Sequence, residues 1–227
     1  MPNKQPIKFL DAIARTFRAY NRYGPRSNKK LIPIHLWFAS IVKSKLGKDY
    51  SIRSLGADGE YTIDGKYYPK KLDITVLLER KAIATISFKF VTSNYSQNTN
   101  NYFENLLGES ANIRRMKVGF AHFLVLRAHT PYYDKNKGNR RGKLKKTECL
   151  VEHHLLKYIK LFKDSDYPHR PDVLGIAIID FDDKKVPYYI NLRDLGFSKE
   201  TIKLIKKDLS VDNFIKNFIA LIKNGSK

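Results

Sequence analysis

Cysteine is almost absent: Cys149 is the single one in 227 residues. No internal disulfide framework and no cysteine-based zinc cluster can therefore be built. Long apolar runs are missing too. No stretch approaches the roughly 20 residues that a membrane-spanning helix needs. The opening residues, MPNKQPIKFLDAIARTF, lack the apolar segment and small-residue cleavage site of a signal peptide. A cytoplasmic protein is the expectation. Familiar catalytic signatures are likewise missing. There is no phosphate-binding P-loop, no G-x-G-x-x-G and no G-x-S-x-G. The paired H-x-E and C-x-x-C of zinc deaminases is also absent. The doublet His153-His154 falls on a predicted helix, where adjacent side chains do not converge on one ion.

Acidic residues are scarce against basic ones. The 22 Asp and Glu stand against 43 Lys and Arg, a formal net charge of +21. Such an excess attracts polyanions, and that attraction weakens steeply with salt. Nucleic acid is the leading partner. An anionic membrane surface fits less well, because no strongly amphipathic basic helix with an aromatic anchor is present. Charge alone names no activity, since a structural binder of nucleic acid would share it.

At 42% hydrophobic residues the chain is rich enough to bury a core. Apolar periodicity predicts helices over 7–20 and 33–46, then short strands over 50–55 and 60–63. Asp64-Gly65 is a hairpin-turn signal. Residues 72–78 and 82–91 are two strong strand patterns around the polar turn Glu79-Arg80-Lys81. An Asn-rich loop, TSNYSQNTNN, precedes a helix over 101–115. A strand follows over 120–127, then a basic loop over 134–146, a helix over 151–162 and a buried strand over 173–181. The chain closes with a strand near 188–192 and helices near 199–207 and 211–223. This order predicts an α/β fold, a mixed β-sheet flanked by helices, with no internal repeat and no clear linker.

The central hairpin carries the candidate chemistry. Leu72, Ile74, Val76 and Leu78 point one way, Asp73 and Thr75 the other. On the second strand Ala84, Ile86, Phe88 and Phe90 share a face, opposite Thr85, Ser87 and Lys89. A hairpin centred on Arg80 pairs residues whose numbers sum to about 160, which sets Asp73 opposite Ser87 and one pleat from Lys89. Phosphodiester hydrolysis needs a divalent metal held by carboxylates and a cation near the attacking water or the phosphate. Asp73, Ser87 and Lys89 offer part of that set on one face.

The pattern Asp73-x13-Ser87-Phe88-Lys89 resembles the PD-(D/E)XK nuclease motif, and the segment FKFVTSNYSQNTNNYFENLLGE is similar to the region around the catalytic lysine of some type II restriction enzymes. The likeness covers about 45 residues, from Leu72 to Arg115. Lys71-Leu72-Asp73 replaces the usual Pro-Asp, and Ser87 stands where the family usually has Glu or Asp. Some family members with S-x-K take the second carboxylate from the following helix. That implies Glu104, 15 residues after Lys89, with Glu109 on nearly the opposite side of the helix as the weaker candidate and Glu60 in reserve.

The resemblance further implies a restriction-endonuclease-like core, a single endonuclease domain over 1–227. Residues 1–50 would be a helical flank, 60–192 the nuclease core and 195–227 terminal helices. It implies a Mg²⁺-dependent, sequence-specific endonuclease for double-stranded DNA, acting as a homodimer. Asp73, Glu104 and the carbonyl of Phe88 would hold the ion; Lys89 would orient or help deprotonate the water. Lys135, Lys137, Arg140, Arg141 and Lys143 in the basic loop are candidate phosphate contacts. Asn94, Gln97, Asn98 and Asn100 are candidate base contacts, since Asn and Gln pair bidentately with adenine. Turn chemistry explains the same Asn-rich residues. A repair nuclease or junction resolvase on the same core, or a non-catalytic nucleic-acid binder with a degenerate site, are the competing readings.

Overall fold

A computed structural model describes residues 8–24, 26–92, 95–134, 142–165 and 168–225. It opens with α1 (Phe9–Tyr23), whose buried residues Phe9, Ala12, Ile13, Thr16 and Phe17 follow the one-face spacing of an amphipathic helix. A short 3₁₀ turn at Asn28–Leu31 leads into α2 (Ile32–Lys45), which buries Ile34, His35, Trp37, Phe38, Ala39 and Val42. Four strands follow: β1 (Tyr50–Ser54), β2 (Tyr61–Asp64), β3 (Pro69–Leu72) and β4 (Ile74–Leu78). Then come β5 (Lys81–Val91), α3 (Tyr95–Arg114), β6 (Gly119–Arg127), β7 (His129–Tyr133) and β8 (Leu144–Cys149). A 3₁₀ turn at Glu152–His154 precedes α4 (Leu156–Lys163), β9 (Val173–Phe181), β10 (Pro187–Tyr189), α5 (Lys199–Lys207) and α6 (Val211–Gly225).

The main sheet is mixed, in the order β1-β4-β5-β6-β9-β10. Pairing is antiparallel from β1 to β5, parallel from β5 through β6 to β9, and antiparallel again at β10. The α/β class and the mixed sheet with flanking helices follow the sequence pattern. Alternation along the central strands feeds two cores. Ala121, Phe123 and Val125 of β6 face one cluster, with residues of α1, α2 and α6. Phe120, Leu124 and Leu126 face the other, with residues of α3, α4 and α5.

Three local differences from the sequence pattern matter for the site. The predicted strand over 72–78 is two strands. β3 pairs with β2 in a separate two-stranded sheet, β4 joins the main sheet, and Asp73 is the bend between them. The hairpin register has the expected sum at its inner end, with Ile74 opposite Ile86 and Val76 opposite Ala84. A bulge after Val76 then shifts it by one, so that Leu78 meets Lys81. Glu79 and Arg80 both take positive φ (47° and 69°), which makes the turn two residues rather than three.

The third difference is in α3. The Asn-rich segment is not a loop: from Tyr95 onward it is the first turns of the helix. Low helix propensity is overridden by tertiary contacts. Tyr95 and Thr99 are buried, the Ser96 amide donates to Glu148 Oε1 at 2.7 Å, and Lys157 Nζ donates to Asn100 Oδ1 at 2.7 Å. Residues 144–146 of the predicted basic loop are the start of β8, and residues 135–141 lie outside the described residues. The Asp134 amide donates to the Lys143 carbonyl at 2.9 Å.

Candidate functional site

The polar residues of the hairpin converge where β3 gives way to β4. Asp73, freed from strand pairing by the bend, turns its Oδ2 onto the Phe88 amide, 2.7 Å away. Residues 87–89 thus sit directly against it. Below them Thr75 and Thr85 share a hydrogen bond at 3.3 Å, and Thr85 Oγ1 also donates to the Ile74 carbonyl at 2.8 Å. The polar stripe on this face is satisfied rather than left bare.

A cleft of about 380 Å³ lies over the stripe, and Asp73, Ser87, Phe88 and Lys89 line it together. The sequence pairing of Asp73 with the S-x-K segment is therefore realised in space. Lys30 from the turn before α2, Lys70 and Lys71 of β3, and Tyr102 and Glu109 of α3 complete the lining. Lys89 Nζ stands over the Tyr102 ring, 5.5 Å from its centre.

The helix carboxylate that lines this cleft is Glu109, not the expected Glu104. Glu109 Oε2 accepts from Ser87 Oγ at 2.8 Å, and Oε1 pairs with Lys70 Nζ at 2.7 Å. Glu104 is exposed and does not line the cleft. The reason is angular. At 3.6 residues per turn, Glu109 lies about 60° from buried Leu106 and Glu104 about 160° from it. Counting from Leu106 and Tyr102 by threes and sevens would have found Glu109. The earlier start of α3 extends that inner face back through Thr99 and Tyr95.

Two further groups come from outside the hairpin. Glu60, just before β2, is only 11% exposed and pairs with Lys71 at 3.4 Å. His35, in the first turn of α2, approaches from the opposite face of the sheet, its ring edge-on to Phe88 at 5.7 Å. One ligand atom each from His35, Glu60 and Asp73 fall within 4.8 Å of one another. His35 carried no motif signal. Its only trace in the sequence is a histidine inside the apolar helix segment IPIHLWFASIV.

The electrostatics are those of a crowded acidic pocket with a basic rim. Burial pushes the Asp73 carboxyl up to about 7, aided by Glu60 and Glu109 and opposed by the Phe88 amide and by Lys89. Burial alone would raise Glu109, but the Lys70 and Ser87 hydrogen bonds outweigh it and hold its pKa below the usual value. Burial lowers His35 to about 4, which leaves a neutral imidazole at pH 7. Burial also lowers Lys30, helped by the charge of Lys89. The donor set fits a divalent cation. Two carboxylates supply hard oxygen ligands, and a cation would offset the burial and, secondarily, the repulsion that raise Asp73.

Gln97, Asn98, Asn100 and Lys143 do not line the cleft. Gln97 is exposed on α3, Asn98 is partly buried, and Asn100 is held by Lys157. Lys143 is exposed just before β8. Asn94, Lys135, Lys137, Arg140 and Arg141 lie outside the described residues. No protein-family model, no curated protein and no solved structure gives a significant match to the chain.

Proposed function

We propose that the protein is a divalent-metal-dependent nuclease that hydrolyses phosphodiester bonds of double-stranded DNA. The observation that carries this reading is one cleft in which Asp73, Ser87, Lys89 and Glu109 meet, in a chain of net charge +21. Asp73 and Glu60 are the carboxylates that would hold the ion, and Mg²⁺ is the ion the motif resemblance implies. When bound, such an ion lowers the pKa of a coordinated water and neutralises charge on the phosphate.

The remaining work falls to the chain's own residues. Lys89 reaches into the cleft from the strand that carries Ser87, so it is placed to hold the attacking water and a phosphate oxygen. Lys30, beside Lys89, adds positive charge where the phosphate would lie. Glu109 has a different task from the one foreseen for Glu104. Its two oxygens are already engaged by Ser87 and Lys70, so it orients those groups and keeps the Lys70 charge at the rim. Tyr102 supplies the ring against which the Lys89 ammonium rests.

The test is cleavage of supercoiled plasmid with MgCl₂ by wild type, Asp73→Asn and Lys89→Ala. Wild type should cut, and both variants should fold and bind DNA but not cut. Near-normal cutting by either variant would sink the assignment. Discrete fragments would mark sequence-specific cutting as in restriction enzymes; nicking that follows DNA structure would point to the repair or junction-resolving alternative.

A further inference from the structure

We propose that His35 is a third metal ligand, so that the cluster of His35, Glu60 and Asp73 binds Mn²⁺ in a mixed nitrogen–oxygen site in preference to the all-oxygen Mg²⁺ site the motif implies. The proposal rests on reading this cleft as a metal centre, but it concerns a residue that the hairpin motif does not contain.

His35 is fully buried in α2, and among the described residues neither Nδ1 nor Nε2 has a hydrogen-bond partner. That is an unusual position for a side chain with two polar atoms, since buried polar groups are nearly always paired. Its ring is not merely packed among apolar neighbours. One of its nitrogens lies within the 4.8 Å that spans the carboxylate oxygens of Glu60 and Asp73. Ligands about 2.0–2.2 Å from a single ion stand up to roughly 4.4 Å apart, so a small contraction brings all three onto one cation. An ion there would give the imidazole the partner it lacks.

The three ligands come from three separate pieces of the chain. His35 is on α2, Glu60 precedes β2, and Asp73 is the bend between β3 and β4. Phe88 holds two of them. Its amide fixes Asp73 while its ring abuts His35. The donor chemistry sets the preference. Mg²⁺ is a hard ion that keeps oxygen ligands and waters. Imidazole suits first-row transition metals, and among them Mn²⁺ is the ion that shares with Mg²⁺ a preference for carboxylate and water ligands.

Mn²⁺ binding to the full-length chain, followed by electron paramagnetic resonance, tests this. Wild type should bind Mn²⁺ at least about tenfold more tightly than Mg²⁺ measured by competition. Its electron spin echo should carry ¹⁴N modulation from a coordinated imidazole. His35→Asn should lose the modulation and weaken Mn²⁺ about 10- to 100-fold while changing Mg²⁺ affinity less than about threefold, the scale on which single groups tune metal sites. Should His35→Asn fail to fold, the modulation in wild type still decides. Bound Mn²⁺ without ¹⁴N modulation, or modulation that survives in folded His35→Asn, would overturn the His35 assignment and leave the nuclease reading standing. Absence of any Mn²⁺ or Mg²⁺ binding would overturn both.

Discussion

β5 and β6 lie side by side in the middle of the same sheet, in register from Ala84 with Gly119 to Val91 with Leu126, yet they are used differently. β6 is apolar toward both cores: Ala121, Phe123 and Val125 face one, Phe120, Leu124 and Leu126 the other. β5 gives Ala84, Ile86 and Phe88 to the first core but turns Thr85, Ser87 and Lys89 toward the α3 side. A central strand has no structural need for a serine and a lysine, and burying them costs stability unless they are paired. β6 is the scaffold, and β5 trades part of its apolar face for a site. A polar residue inside β6 makes the same point. His122 is registered beside Ser87, on the edge of that site.

The comparison breaks first, and by the largest margin, at Asp73. Asp73→Asn keeps shape and volume but removes a carboxylate, so plasmid cleavage should fall by at least about 1000-fold, the scale for losing a principal charge in an active site. The urea midpoint should not drop, because the charge being removed is one that burial disfavours.

His122 provides the next test, on stability. Burial lowers its pKa to about 4 in the folded chain, against 6.5 as the ordinary value. The unfolded chain therefore takes up the proton first. This contribution is present above about pH 6.5 and is lost as pH falls from 6.5 toward 4. Asp73 acts with the opposite sign: its raised pKa costs stability as pH rises from 3.8 toward 7. Only the difference between proteins isolates His122. Urea unfolding at pH 7.5 and pH 4.5 should show wild type losing roughly 2–3 kcal/mol more than His122→Leu over that interval. Equal losses would mean that His122 has a proton acceptor in the folded chain.

A third test separates the two glutamates of α3. Glu109→Gln should reduce cleavage about 10- to 100-fold, because it unpairs Lys70 and alters the acceptor of Ser87. The apolar face of the scaffold is probed by Gly175→Ala on β9. A methyl there would stand 2.5 Å from the Phe123 ring and 2.8 Å from that of Phe214. Thermal unfolding should report a loss of about 1–3 kcal/mol, the usual cost of overpacking, with cleavage per folded molecule unchanged. The smallest effect is expected at Glu104→Gln, less than about twofold in cleavage rate. A large loss there with a mild one at Glu109 would reverse the assignment of the helix carboxylate.

Period-2 alternation, the polar turn at Glu79-Arg80 and the basic excess were all legible in the sequence, because each is a local or summed property. From these follow the mixed α/β sheet, the hairpin, and Asp73 facing the Ser87–Lys89 segment. Residue spacing alone also contained Glu109, had the helix been measured from its buried face rather than from the loop before it. What sequence could not decide was everything set by partners distant in the chain. The Asn-rich segment became helix because Glu148 and Lys157 meet it from β8 and α4. The strand over 72–78 broke at Asp73 because β3 found β2 as its partner. His35 reached the carboxylates only because α2 packs on the other side of the sheet, against the ring of Phe88. Local pattern fixes which face a side chain occupies, since backbone geometry sets it within a few residues. Which faces meet is decided by packing, and that free energy exists only when the whole chain is folded.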